Sequence, residues 1–266
     1  MPAALRLKPP SVWEVRLSEP VATRLYVAQP LAAGGRIALT PSQEHRLRHV
    51  LRLRPGASVA AFNAEHGEWL CRLAELRRGS SAIDIVALRR SPGPERELCL
   101  IFAPIRRARL DWLVEKATEL GVSALIPVQT ARTQAPLINR DHLAAVAIAA
   151  AEQSERLSIP EIRAVAPLDR VLGGLPADCR LIACDESGAG MPIAAALAEL
   201  PAGPAAALLI GPEGGFARTE LDAIGKLPIV TRVALGPKVL RAETAALAAL
   251  AVFQAIAGDW RGARRG

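Results

Sequence analysis

Between Arg24 and about Leu88 the chain runs in short apolar segments, RLYV, RIAL, SVAAFN, EWLCRL and AIDIVAL, separated by glycine-containing or polar turns such as AEHG and RRGSS. Such runs bounded by turn residues predict strands, and their succession predicts a small barrel-like domain. One helix interrupts the pattern. Thr40 is placed to cap it, Pro41 to occupy its first position, Gln43 to complete a capping box, and Pro55 with Gly56 to stop it. At about 100° per residue this helix puts Leu47, Val50 and Leu51 on one side and His45, Arg48, His49 and Arg52 on the other.

After SPGPERE, residues 91–97, the pattern changes. Strand-like LCLIFAP, SALIPVQ, RLIACDES, AALLIG and TRVALG alternate with helix-like RLDWLVEKATELG, RDHLAAVAIAAAEQSERL, MPIAAALAEL, RTELDAIGK and LRAETAALAALAVFQAIAG. Alternation of this kind predicts an α/β domain with a mostly parallel sheet, whose ligands bind at the carboxyl ends of its strands. The expected organisation is a poorly ordered, proline-containing extension over 1–22, a β-rich domain over 23–90, a linker over 91–97 and the α/β domain over 98–266.

Composition narrows the field. At 266 residues, 51% hydrophobic and 22% charged, the chain reads as globular rather than disordered or fibrous. A net charge of +7 points toward an anionic partner without naming one, and an aromatic content of 3% argues against a nucleic-acid surface built on stacked rings. Cys71, Cys99, Cys179 and Cys184 form no CxxC pair and are expected to be reduced and buried. No uninterrupted apolar run reaches the roughly 20 residues that span a bilayer. MPAALRLKPP lacks a signal-peptide core, so a cytoplasmic location and no membrane partner are expected.

The basic stripe of His45, Arg48, His49 and Arg52 has two readings, a solvated helix face or a phosphate-binding surface. Arg46 and Arg54 flank it, and no carboxylate follows Glu44 until Glu65, which keeps phosphate binding open. His45 and His49 have the spacing of a metal pair, but no HExxH glutamate or third ligand accompanies them, so no metal site is expected.

Two strand-to-helix junctions stand out near the end of the chain. In Ile210-Gly211-Pro212-Glu213-Gly214-Gly215-Phe216 the glycines permit close approach to bare backbone, as either a tight turn or a ligand loop. In Gly236-Pro237-Lys238-Val239-Leu240-Arg241-Ala242-Glu243, two cations sit beside a helix N-terminus that disfavours them, a conflict that Glu243 or an anionic ligand would relieve. GxGxxG, GxxxxGK[ST] and GxSxG are absent, which argues against a conventional dinucleotide site, a P-loop and an α/β-hydrolase.

GPEGGF together with LGPKVLRAETAAL resembles the end of the ribosomal RNA small-subunit methyltransferase E family, the 16S rRNA uracil-N3 methyltransferases of the SPOUT superfamily. KATELGV, AAEQSER followed by IPEI, and HRLRHVLRLRPGA resemble further blocks of that family, in order, over nearly everything from Arg24 onward. Departures are Ala217 in place of a capping Ser, Lys238 in place of Arg, and QTART, which keeps only Arg132 of its block.

The resemblance implies a PUA-like β-barrel that helps bind RNA, followed by a SPOUT-type trefoil-knotted parallel-sheet domain that works as a homodimer. It implies that S-adenosylmethionine lies against Cys184 and Glu186, against Ile210, Gly211, Pro212, Glu213, Gly214 and Gly215, and against Leu235, Gly236, Val239 and Leu240, with Thr244 and Ala245 on the closing helix. The expected substrate is a uridine in 16S rRNA, free or in the small ribosomal subunit. Arg241 is the candidate for stabilising the uracil oxygens or a phosphate, and Glu243 for orienting Arg241 or accepting a proton. Arg132, Gln153 and Arg156, with Glu152, are candidates for the RNA side. An RNA-binding assembly factor without transferase activity and a methyltransferase for another RNA base are the competing expectations.

Overall fold

The structure, a computed structural model, describes residues 19–133, 138–186, 190–200 and 205–261. The chain divides between Gly93 and Pro94 into two compact units. Most of the expected extension lies outside the described residues. Its described end is held: both carboxylate oxygens of Glu19 meet the Arg72 guanidinium at 2.7 Å, and the Ala22 N–H donates to the Ser58 carbonyl at 2.9 Å.

In the first unit, β1 (Arg24–Tyr26), β2 (Arg36–Ala38), β3 (Ser58–Asn63), β4 (Gly67–Arg77) and β5 (Ser80–Arg90) form one sheet in the order β1-β3-β4-β5-β2. Only β1 and β3 are parallel. Register shifts between β4 and β5 at Glu68/Trp69, Leu70/Cys71 and Leu73/Glu75 mark irregularities in the ladder, and such bulges increase a sheet's bend. Leu25, Val59, Cys71, Leu73 and Ile83 fill the core. Arg24 is buried against Glu68 at 2.7 Å, with its guanidinium 4.0 Å from the Phe62 ring centre.

The interrupting helix starts as its sequence predicts. Thr40 accepts from the Gln43 N–H, Gln43 returns a bond to the Thr40 N–H, and α1 runs over Pro41–His45. It then widens into a π turn over Arg46–Val50, closed by the Leu51 N–H on the Arg46 carbonyl at 2.9 Å, and Arg52 takes φ 52°. This overturns the expected apolar side: Leu47 is buried, but Val50 is 66% and Leu51 36% exposed, because the wider turn rotates the residues after Leu47 away from an α-helical wheel.

The second unit contains β6 (Leu98–Phe102), α2 (Arg107–Glu119), β7 (Ala124–Gln129), α3 (Arg140–Gln153), β8 (Glu161–Ile162), β9 (Ala166–Pro167) and α4 (Leu168–Gly173). It continues with β10 (Arg180–Cys184), β11 (Met191–Pro192), α5 (Ile193–Ala198), β12 (Ala206–Ile210), α6 (Arg218–Gly225), β13 (Val230–Ala234) and α7 (Ala242–Ile256). The sheet order is β11-β13-β10-β12-β6-β7-β8, and every pairing is parallel. The chain lays β10 down, inserts β12 between β10 and β6, then returns with β13 on the outer side of β10. Carboxyl ends of β10, β12 and β13 therefore share one edge, where the strand order changes direction and a crevice opens.

Two apolar layers cover the sheet. On one face Leu100, Leu113, Leu125, Leu208 and Phe253 pack together, and on the other Ile101, Ile126, Leu181, Leu209 and Phe216. The apolar α7 spends Ala246, Ala249, Leu250 and Phe253 on this core, packing against α2 and α5. Residues of the expected linker are tied into the unit, Glu95 to Arg156 at 3.0 Å and Arg96 over Phe253 at 5.0 Å.

Candidate active site

At the shared strand edge the loops after β10, β12 and β13 enclose a cavity of about 540 Å³, joined by Ala242 and Ala245 from α7. Of the residues expected to hold a cofactor, Cys184, Glu186, Ile210, Gly211, Pro212, Glu213, Gly215, Leu235, Gly236, Val239, Leu240 and Ala245 line it. Gly214 belongs to the same turn but does not line the cavity, and Thr244 is exposed on the first turn of α7. Asp185, Phe216, Leu221, Pro237 and Lys238 complete the walls.

The glycines explain the shape. Gly215 has φ +68°, and a Cβ there would stand 1.7 Å from Oε1 of Glu186. A Cβ on Gly211 would come within 2.8 Å of the Phe216 ring. At Gly211 a side chain meets the Phe216 ring and at Gly215 the positive φ disfavours one, so backbone itself forms this part of the cavity. The lining joins apolar Ile210, Phe216, Leu235 and Leu240 with the carboxylates of Glu186 and Glu213 and the ammonium of Lys238. Such a lining suits a ligand that combines an apolar body with charges of both signs.

Cys184 is not a nucleophile here, because burial pushes its thiol up to about 12. Asp185, fixed by its N–H on the Val233 carbonyl at 2.8 Å, is buried and paired with Arg232. Arg132, at the end of β7, donates to the Gly214 carbonyl at 2.6 Å. Glu220 on α6 accepts from the N–H groups of Ala217 and Ala131 at 2.7 and 2.8 Å, so it ties the glycine turn to the β7 loop and keeps the half of the capping box that needs no Ser.

Arg241 caps α7 with its backbone and leaves its side chain exposed. Among the described residues neither it nor Lys238 meets a carboxylate within ion-pair distance; Lys238 lines the cavity, and Arg241 lies between the lining residues Leu240 and Ala242 without lining it itself. The expected contact between Glu243 and Arg241 is not made. Glu243 is buried, its Oε1 lies 3.4 Å from Nε of Arg109, and its Oε2 has no hydrogen-bond partner among the described residues. Nη1 of Arg109 also stands 3.3 Å from Glu213 in the glycine turn. Arg109 escaped the sequence reading, although Arg106, Arg107 and Arg109 crowd the N-terminus of α2 as unfavourably as Lys238 and Arg241 crowd that of α7.

Gln153 and Arg156 do not join this site. α3 follows β7 and runs back across the sheet, so its end lies at the opposite strand edge. Arg156 there donates to the carbonyls of Thr118 and Val122 at 2.7 and 2.9 Å, with its side chain 9% exposed. It staples the ends of α2 and α3, Glu152 is buried beside it in sequence, and Gln153 alone is exposed. In the first unit His45, Arg48, His49 and Arg52 are all exposed.

Residues 92–254 match the family described as RNA methyltransferase domain, and residues 47–86 match RNA methyltransferase PUA domain. The ribosomal RNA small subunit methyltransferase E of Rickettsia conorii is 29% identical over 232 residues, covering 86% of this chain and 93% of that one. Its namesake in Synechocystis is 30% identical over 247 residues, covering 89% and 78%. A crystal structure of ribosomal RNA small subunit methyltransferase E from Neisseria gonorrhoeae bound to S-adenosylmethionine superposes with a TM-score of 0.78 at 27% identity, covering 90% of this chain and 99% of that one.

Proposed function

The chain belongs to the ribosomal RNA small-subunit methyltransferase E family, and from that membership we propose that it methylates N3 of one uridine in small-subunit rRNA with S-adenosylmethionine as donor. The observation that carries this reading is the cavity at the ends of β10, β12 and β13, walled by bare backbone at Gly211 and Gly215, with Lys238 in its lining. Its chemistry fits the donor. Ile210, Leu235 and Leu240 would hold its apolar part, the Glu186 carboxylate would attract its positive charge, and Lys238 its carboxylate.

When bound, the donor supplies an activated methyl group on a sulfonium. The chain's own residues do the rest. In the balanced reaction the uracil nitrogen forms a bond to the methyl carbon as the sulfur–carbon bond breaks, and the N3 proton leaves to solvent or a base. Orientation is the main lever, since donor reactivity is already high. Arg241 stabilises the negative charge developing on the uracil oxygens. Glu243, buried and engaged by Arg109, positions the turn and the first turn of α7 rather than orienting Arg241. Because N3 lies on the Watson–Crick edge, the target uridine is unpaired when it enters.

Three finer readings belong to the same proposal: the return of β13 outside β10 is part of a trefoil knot, the protein acts in the cytoplasm as a homodimer, and it acts on free 16S rRNA or on the small ribosomal subunit. Val239, which lines the cavity and is 90% exposed, supports a second copy completing the site. The test is mass mapping of small-subunit rRNA from cells with and without the protein. One uridine should lose its methyl group in the deletion and regain it on complementation. An unchanged map sinks the proposal.

A further inference from the structure

Three carboxylates line the cavity at the ends of β10, β12 and β13, and they differ in what neutralises them. Asp185 is buried and paired with Arg232, and Glu213 reaches Arg109 at 3.3 Å. Glu186 is exposed, and among the described residues no cation stands within ion-pair distance of it. Resting on the donor reading above, we infer that Glu186 makes this cavity selective for the sulfonium of S-adenosylmethionine over the neutral thioether of S-adenosylhomocysteine, the by-product of transfer.

Placement decides which of the donor's positive charges Glu186 meets. The donor's ammonium and carboxylate share one carbon, separated from sulfur by two methylene groups, and both persist in the by-product. Lys238, the cation of the lining, follows β13 and would take that carboxylate. Glu186 instead stands on the glycine turn after β12, where its Oε1 lies 1.7 Å from the place a Cβ of Gly215 would occupy. Bare backbone at Gly215 is what admits the carboxylate there. β13 and β12 flank β10 on opposite sides, so at about 4.8 Å per strand their ends are roughly 10 Å apart. A ligand anchored at Lys238 by its carboxylate therefore reaches the Glu186 side with its sulfonium rather than with the ammonium beside that carboxylate.

A sulfonium has no N–H or O–H to donate, so charge is the property by which a side chain can recognise it. Transfer removes that charge. The bond from sulfur to the methyl carbon breaks with its electron pair left on sulfur, the methyl carbon bonds to N3, and the positive charge departs as the N3 proton. Attraction between Glu186 and the sulfur end is lost in that exchange, while contacts to the ammonium, carboxylate and apolar part persist. The cavity thus favours a fresh donor over the by-product, which limits inhibition by the by-product. Because Glu186 is exposed, solvent and salt screen the attraction and hold the preference it confers to roughly three- to tenfold.

The test is calorimetric titration of the full-length protein and of Glu186→Gln, at constant ionic strength, with S-adenosylmethionine, S-adenosylhomocysteine and sinefungin, whose protonated amine stands in for the sulfonium. In the variant the ratio of S-adenosylmethionine to S-adenosylhomocysteine affinity should fall roughly three- to tenfold, with sinefungin following S-adenosylmethionine. Affinity for S-adenosylhomocysteine should stay within about twofold, which also verifies that the variant's cavity is formed. Glu186→Asp keeps the charge and should keep most of the preference. An unchanged ratio in Glu186→Gln overturns the inference. Equal losses for both adenosyl ligands assign Glu186 to the ammonium and overturn it too, as does a fall in Glu186→Asp as large as in Glu186→Gln, which would make shape the cause. Each of these leaves the methyltransferase reading intact, because the parent still binds the donor. A parent that binds none of the three ligands removes both readings.

Discussion

Nε of Arg109, in the first turn of α2, stands 3.4 Å from Oε1 of Glu243, in the first turn of α7, and the same guanidinium reaches Glu213 in the glycine turn at 3.3 Å. One cation therefore joins two helix N-termini and a loop of the candidate active site. The helix dipole disfavours an arginine there, and the two carboxylates offset that cost while Arg109 compensates the charge of a glutamate whose side chain is only 9% exposed.

Removing Arg109 leaves the buried Glu243 carboxylate uncompensated. Arg109→Leu should lower stability by about 1–3 kcal/mol in urea unfolding, and adding Glu243→Gln should recover part of the loss. A double-mutant cycle measures the coupling, expected at about 1 kcal/mol or more. Independent, additive losses would show that the pair does not hold the three elements together.

Gly215 is the sharpest probe of the cavity. A Cβ there meets Glu186, and φ +68° disfavours an L side chain, so Gly215→Val should weaken calorimetric binding of S-adenosylmethionine at least about tenfold, or about 1.4 kcal/mol. Backbone strain should reduce stability by about 1–2 kcal/mol without unfolding the protein, as circular dichroism will show. Parental affinity in a folded variant would place the cofactor elsewhere.

Arg241 separates chemistry from binding. Arg241→Ala should reduce methylation of small-subunit rRNA about a hundredfold while leaving S-adenosylmethionine affinity within about twofold. Near-parental turnover would remove Arg241 from the transition state, and a matching loss of cofactor affinity would make it a binding residue.

Much of this arrangement is written locally. Thr40, Pro41 and Gln43 carry the start of α1 because a capping box needs only adjacent residues. The loops after β12 and β13 are marked by glycines and prolines next to apolar strands. Short β8, β9 and α4, over 161–173, carry too few residues for a periodicity. The π turn is invisible to a 100° wheel, since one widened turn changes every later position without changing composition. Arg109 was hidden because both of its carboxylates are more than a hundred residues away, and only the fold brings them in. Where Gln153 and Arg156 lie relative to the cavity is equally hidden, because block order says nothing about which end of a returning helix reaches the strand edge that carries it.

The cysteines carry a pH prediction. Burial pushes the thiols of Cys71 and Cys184 up to about 12 and that of Cys179 to about 11, whereas a thiol in the unfolded chain titrates near 8.5. Above that unfolded value the unfolded state releases protons that the folded state retains. The contribution of these groups is therefore complete below about pH 8.5 and is lost progressively toward the folded values. Unfolding free energy should fall as pH rises from about 8.5 to about 10.5, and replacing the three cysteines by Ala or Val should shallow that fall. At about pH 8 a thiol reagent should label the native protein slowly and the urea-unfolded protein at once. S-adenosylmethionine should slow labelling of Cys184, which lines the cavity, while leaving Cys71 in the other unit unaffected. Rapid native labelling of Cys184 that S-adenosylmethionine does not slow would mean that its thiol is reached by another route than the cavity it lines.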